Sequence, residues 1–408
     1  MKIFITGLCM QGNKGGPALA LSIVKSLNKY IDNVEYIFAV SSGDEFIEEQ
    51  RWADIFDVKV IEELPIRSVH PLNFIKKPKS TSRRIASWYN AFRSSDKVIS
   101  MNGVCYVGPP VGSQKFSSVW SRFRIYLSAK LFGKKFVGWT QSYGPFTTPW
   151  IRAMAKLDLG SQEVIFCRGE DCVSVIKALL PNSNAVSYPD VAIILNYDKE
   201  KGRIYLTEKM NLTEHEKLVT VSPSAVLYSK SVGQSSSNKH VQELRAVCIR
   251  LIGSGYRVLL VPHTYRVGSE NPNLCDYVVS KFVADGLEGV DLVTENLSPI
   301  DLKSIISNAY IHIGARYHSL VASLSTGIPS ISLSWHSKYK DLMREFSLDE
   351  YVYDSVNMGT EVSLDELIDK LISKHEDLCI DLRTSGLSLE EKIFENASLI
   401  AEQFLRKK

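Results

Sequence analysis

The sequence predicts an α/β protein of two domains, each built on a mainly parallel sheet with helices on both faces. Three observations lead there. Short β-branched or aromatic runs alternate with helical periods along most of the chain. A charged segment poor in apolar residues interrupts the alternation near the middle. The length, 408 residues, exceeds what a single core usually supports.

Taken in order, the first half offers strands at KIFIT (2–6), VEYIFAV (34–40), VKVI (58–61), KVISM (97–101), KFVGW (135–139), VIFC (164–167) and the apolar run before Asp198. Helical patterns near 17–29, 83–95, 115–132, 149–160 and 171–180 separate them. This βαβα order predicts a first Rossmann-like domain over residues 1–196. The segment NYDKEKGRIYLTEKMNLTEHEK (196–217) is charged throughout, so residues 197–217 are expected to link the domains. The alternation restarts with LVTVSP (218–223), YRVLLVP (256–262), VDLVT (290–294), YIHIG (310–314) and SISLS (330–334), with helices between them. These predict a second Rossmann-like domain over 218–385. The tail 386–408 reads as an amphipathic helix. Ser388 is its expected N-cap, Glu391 closes a capping box, and it is expected to pack across both domains. In sheets of this kind the ligand lies beyond the carboxyl ends of the strands, here in a cleft between the domains.

Composition narrows the function. A net charge of +3 on this length gives no case for a nucleic-acid partner. The basic residues cluster, however: KKPKSTSRR (76–84) carries five positive charges and no negative one. That stretch is either a solvated face or a site of attraction for an anionic substrate or a membrane surface. Seven cysteines, odd in number and without a CxxC pair, predict reduced thiols and a cytoplasmic location. The histidines show no metal-binding spacing, so no metal is expected. The apolar run after Met1 stops at Gln11, too early for a signal peptide, and no stretch is long enough to span a membrane.

The glycines of GLCMQGNKGG (7–16) stand between the first strand and the first helix, where phosphate loops occur. Gly7 and Gly12 have Walker A spacing, but Asn13 follows and Lys14 comes one residue late. Gly12 and Gly15 match the last two glycines of a dinucleotide fingerprint, but Met10 replaces the first. The loop is therefore either a tight turn or a ligand-facing loop of another kind.

The densest chemical signal is NAYIHIGARYHSLVASLSTGIPSISLSWHSKYKDLM (308–343). A strand ends at Gly314 and a helix begins within a few residues. Arg316 and His318 therefore fall at the helix's positive end. Arginine offers a fork for carboxylate or phosphate, and histidine can donate a proton near neutral pH. Gly327 closes the helix, Pro329 opens the next strand, and Trp335, His336 and Lys338 reach the same rim.

Arg316-Tyr317-His318, Gly327-Ile328-Pro329 and Lys338, together with GWTQSYGP (138–145), FCRGEDCVSVIKAL (166–179), YPD (188–190) and VPH (261–263), resemble the polysaccharide pyruvyl transferase family over about residues 1–350. The resemblance implies a GT-B-like fold with two Rossmann-like domains. It also implies transfer of a pyruvyl group from phosphoenolpyruvate to a sugar of a cell-surface or exopolysaccharide precursor. A ketal forms, phosphate leaves, and no cofactor is involved. On this reading His318 is the general acid. Arg316 and Lys338 bind the donor, and Arg168 reaches it across the cleft. His263 is either a cleft contact or a satisfied structural histidine. Asn13, Gly15, Gly16 and Gln141 are expected on the acceptor side. The chain departs from the family pattern at Gly16, where an acid is usual. It departs again after Arg168, where Gly169 precedes Glu170. The base is left open between Asp190 and Glu170. The acceptor is expected to be lipid-linked or nucleotide-linked, with peripheral contact at the inner face of the membrane. A GT-B glycosyltransferase using a nucleotide sugar is the alternative. A catalytically silent sugar-binding protein is a third reading.

Overall fold

The computed structural model describes residues 1–8, 12–40, 58–63, 79–107, 116–355 and 363–405. They fall into two compact units. The first comprises Met1–Gln11, Leu19–Val191 and Lys392–Lys408, and the second Gly12–Ala18 and Ala192–Glu391. Each unit carries its own mainly parallel sheet, as the alternation predicts.

In the first unit the five-stranded sheet runs, across its width, Lys59–Glu62, Glu35–Val40, Lys2–Leu8, Lys97–Ser100, Lys135–Gly138. The strands pair in parallel, Ile3 with both Tyr36 and Lys97. Its core is aromatic: Phe4, Trp88 and Phe92 are fully buried, and the Trp88 and Phe92 rings stack at 4.8 Å. Large buried rings of this kind supply much of a domain's apolar driving force. Two shorter parallel pairs, Val104–Cys105 with Ser142–Tyr143 and Ile165–Arg168 with Ala185–Tyr188, complete the unit's strands among the described residues.

The second unit holds six parallel strands. Counted along the chain they are Leu218–Ser222, Arg257–Leu260, Val290–Leu292, Ile311–Gly314, Ser330–Ser334 and Val352–Asp354. In space they take the order third, second, first, fourth, fifth, sixth. Val219 pairs with Val258 on one side and Ile311 on the other. Every residue of Leu218–Ser222 and Ile311–Gly314 is buried, as expected of central strands in a parallel sheet covered on both faces. The order reverses between the first and fourth strands. A doubly wound sheet opens its ligand crevice at that point, beyond the carboxyl ends.

Three expectations are corrected. Residues 197–217 do not stand between the units: they lie within the second, and helix Lys199–Met210 occupies most of them. Asp198 caps it by accepting from Lys201 N, and Asn211 ends it in the left-handed conformation. Gly202 lets it lie against Ser304 O. The apolar run before Asp198 is not a strand: Val191–Ile194 forms a 3-10 turn. The last helix begins well before residue 386, running His375–Leu405. Ser388 is therefore interior to it. Thr384 does not break it either, since its hydroxyl bonds back to Ile380 O at 3.2 Å. Within the first unit this helix donates from Asn396 Nδ2 to Thr140 Oγ1 at 2.9 Å. Within the second, His375 stacks on Tyr310 at 3.7 Å.

Candidate active site

The carboxyl edge of the second sheet gathers the chemistry. Strand Ile311–Gly314 leads into Arg316, the N-cap of helix Tyr317–Leu324, and His318 is that helix's second residue. Strand Arg257–Leu260 leads to His263, and strand Ser330–Ser334 leads to Trp335, His336 and Lys338. Arg316 and His318 follow one strand and Trp335, His336 and Lys338 the next, as the sequence predicts, and the topology sets the strands leading to Arg316 and His263 on either side of Leu218–Ser222.

The Arg316 fork is already engaged. Its Nε donates to Asp276 Oδ2 at 2.7 Å and its Nη2 to Asp276 Oδ1. Asp276 is fully buried and also accepts from Ala225 N at 2.8 Å. Burial opposes the Arg316 charge, but Asp276 outweighs it and raises the pKa. The bidentate grip expected for a donor anion is thus closed on a protein carboxylate. What Arg316 offers in this arrangement is a fixed positive charge at the helix start. Asp276 left no mark in the sequence beyond being an acid in a helix's first turn.

His263 is 4% exposed, and Ser222 Oγ lies 3.4 Å from its Nδ1. Burial pushes its pKa down to about 4, so it is neutral at pH 7. His312 is a satisfied core histidine, with Thr220 Oγ1 at 2.9 Å and Ser319 Oγ at 3.0 Å. His336 caps helix Ser337–Glu345 by accepting from Lys338 N at 3.2 Å. The Lys338 ammonium stands 5.1 Å from the Trp335 ring, 5.2 Å from Tyr317 and 5.5 Å from Tyr339, within cation–π reach of all three.

The part of the glycine loop from Gly12 on belongs to this unit. Tyr265 N donates to Gly12 O at 2.8 Å, Lys14 N donates to His263 O at 3.0 Å, and Asn13 bridges Thr264. Asn13 Oδ1 accepts from Gly15 N at 3.0 Å, closing a local turn. Gly15 faces His318: a Cβ there would stand 2.2 Å from its Nδ1. The missing side chain therefore makes room for the histidine ring. Gly16 is the second residue of helix Gly15–Asn28.

Beside His318 lies a cavity of about 10 Å3, room for about one water-sized atom. Two lysines, Lys14 and Lys303, and two histidines, His263 and His318, share its lining with six apolar residues. Lys14 is 5% exposed and Lys303 2%. The sequence reading assigned neither lysine. The available signal was Lys303 amid Leu302, Ile305 and Ile306, a charge in a helix buried on all sides.

Gln141 and Arg168 belong to the first unit and are held by protein groups there. Gln141 is 1% exposed, donates from Nε2 to Ser100 O and has Cys105 Sγ 3.0 Å from its Oε1. Arg168 pairs with the fully buried Asp190 at 3.1 Å and donates to Thr140 O at 3.2 Å. Among the described residues, no cluster of three or more His, Cys, Asp or Glu is arranged to hold a metal ion. No described helix is long and apolar enough to cross a membrane.

Two parallel α/β sheets with a cationic, histidine-bearing strand edge define a GT-B-like enzyme. The polysaccharide pyruvyl transferase model matches residues 13–337, and the chain belongs to that family of transferases. Solved structures share the fold at low identity. The UDP-GlcNAc 2-epimerase from Neisseria meningitidis, bound to UDP-GlcNAc, aligns over 100% of both chains at 12% identity and TM-score 0.61. A UGT transferase from Siraitia grosvenorii in complex with UDP aligns over 99% of this chain and 100% of its own, at 10% identity and TM-score 0.59. The S. aureus MnaA–UDP structure aligns over 94% and 90%, at 12% identity and TM-score 0.55. No curated protein matches the sequence significantly.

Proposed function

We propose that this enzyme transfers a pyruvyl group from phosphoenolpyruvate to a sugar of a cell-surface or exopolysaccharide precursor. The product is a ketal across two hydroxyls, and phosphate is released. The observation that carries this reading is His318 at a helix start on the strand-order reversal, with cationic side chains around it. His318 gives its proton to the methylene carbon of the enol. Positive charge develops on the neighbouring carbon, and a sugar hydroxyl attacks there, losing its proton to a base. The second hydroxyl then attacks the same carbon, the bond to the phosphate oxygen breaks, and the hydroxyl's proton leaves with the phosphate. Lys338 meets one donor oxygen, and Arg316 lends positive charge through its fixed position. Preorganised charge of this kind costs no reorganisation at the moment of reaction.

The sugar is carried on a lipid or a nucleotide, and the enzyme works in the cytoplasm at the inner face of the membrane. Neutral replacements of Lys76, Lys77, Lys79, Arg83 and Arg84 test that location: binding to anionic vesicles should weaken. Mass spectrometry of candidate acceptors incubated with phosphoenolpyruvate tests the reaction. A pyruvyl adduct is expected with the native enzyme, and His318→Gln should abolish it. Unchanged phosphate release by that variant would remove His318 from the mechanism. Thermal stabilisation by UDP and none by phosphoenolpyruvate would favour a nucleotide-sugar transferase instead.

A further inference from the structure

We infer that helices Phe116–Leu131 and Pro149–Leu159 of the first unit dock their outward residues on an anionic lipid surface. The inference deepens the membrane location proposed above, rests on that reading only for the enzyme's place of work, and makes no use of residues 76–84. It starts from a charge pattern. Residues 97–157 contain nine Lys and Arg and no Asp or Glu. Acids supply 45 of the 408 residues, so an even spread would put about seven in that stretch. Both helices lie within it apart from the last two residues of the second. Of those two, Asp158 is fully buried and pairs with Arg122 at 3.0 Å, which ties one helix to the other.

The fold sorts these cations. Arg122 and Arg124 are buried and face acids, and Lys135 pairs with Glu163 at 3.7 Å. Lys130, Arg152 and Lys156 are exposed, and no acid among the described residues pairs with them. Leucines stand beside them: Leu127 is 41% exposed, Leu131 80% and Leu157 59%. Leu127, Lys130 and Leu131 are spaced i, i+3, i+4 and share one face of their helix, as do the exposed Ala153, Lys156 and Leu157 of the other. The inward residues Val119, Ile151, Ala155 and Leu159 are spent on a common core. Protruding leucines among unpaired cations match a surface with phosphate charge outside and acyl chains beneath. The lysine and arginine stems follow the leucines inward while their charged heads stay with the phosphates. A nucleic acid would satisfy the cations and leave the leucines in water. Neither helix is long and apolar enough to cross a membrane, so both lie along its surface.

The test is cosedimentation of the full-length protein with vesicles of equimolar phosphatidylglycerol and phosphatidylcholine, against vesicles of phosphatidylcholine alone. The native protein should bind the anionic vesicles, and added salt should weaken that binding. Leu127→Gln combined with Leu131→Gln should weaken it at least about tenfold, and Lys130→Gln about fivefold. Ile249→Gln, at an exposed position of the second unit, should leave it unchanged. Neither phosphoenolpyruvate nor an acceptor enters the assay, so its failure is distinct from failure of the transfer reading. Native vesicle affinity in the double leucine variant would overturn the inference, as would equal binding to uncharged vesicles or no binding by the native protein. Dimers in sedimentation velocity that the double variant abolishes, with its vesicle binding intact, would overturn it too and give the face to a second copy of this chain.

Discussion

Replacing Gly15 by alanine tests how the glycine loop serves the site. The added Cβ would stand 2.2 Å from His318 Nδ1, 2.6 Å from Cε1 and 2.8 Å from Cγ. Ordinary carbon contacts lie near 3.5 Å, so roughly 1 Å of movement is required. The loop resists it, being held by Tyr265 N to Gly12 O, Lys14 N to His263 O and the Asn13–Thr264 bridge. The imidazole should therefore yield. Overpacking of this kind costs about 1–3 kcal/mol, offset in part by the roughly 0.5–1 kcal/mol that alanine gains over glycine in a helix. Stability should fall by no more than about 2.5 kcal/mol. A misplacement of about 1 Å can cost about a hundredfold in rate. The expected signature is thus a large fall in turnover, little change in KM, and displaced imidazole resonances of His318 in 1H–15N spectra. Native resonances with native turnover would refute the contact. Native resonances with lost turnover would point instead to the acceptor side, where the sequence leads Gly15 to be expected.

Three further outcomes are expected. Asp276→Asn leaves the Arg316 guanidinium in a buried site against a neutral amide and should destabilise the protein by about 3–5 kcal/mol in urea denaturation; a loss under about 1 kcal/mol would mean the pair is not a fixed element of the site. Gly202→Ala should destabilise despite alanine's better helix propensity, because its Cβ would stand 2.1 Å from the Ser304 backbone oxygen; a raised melting temperature would refute that packing. Stability should be greatest above pH 6.5 and decline between pH 6.5 and about 3, because burial holds His240, His263 and His312 at pKa values of about 3, 4 and 3 while the unfolded chain takes up protons near 6.5. Each such histidine contributes about 1.4 kcal/mol per pH unit in that window, and a flat urea midpoint from pH 7 to 5 would sink the assignment.

The alternation of β-branched runs with helical periods determined both sheets, because strands buried on two faces must be continuously apolar and their helices amphipathic. It also placed Arg316, His318 and Lys338 beyond strand ends on one carboxyl edge, since parallel strands share that edge. Chain order alone could not say what these groups touch. Asp276, forty residues before Arg316, closes on its fork because the strand order places Arg257–Leu260 and Ile311–Gly314 on either side of Leu218–Ser222. The polar segment after Asn196 read as a link because its charges are exposed, yet Leu206 and Met210 bury one side of it as a helix. The loop GNKGG failed every phosphate-loop template because its glycine spacing answers to a partner distant in sequence, the ring of His318. Only the tertiary structure brings Gly15 to that ring and buries Lys14 and Lys303 beside it, since burial of a charge depends on which surfaces meet and leaves no periodic trace in the chain.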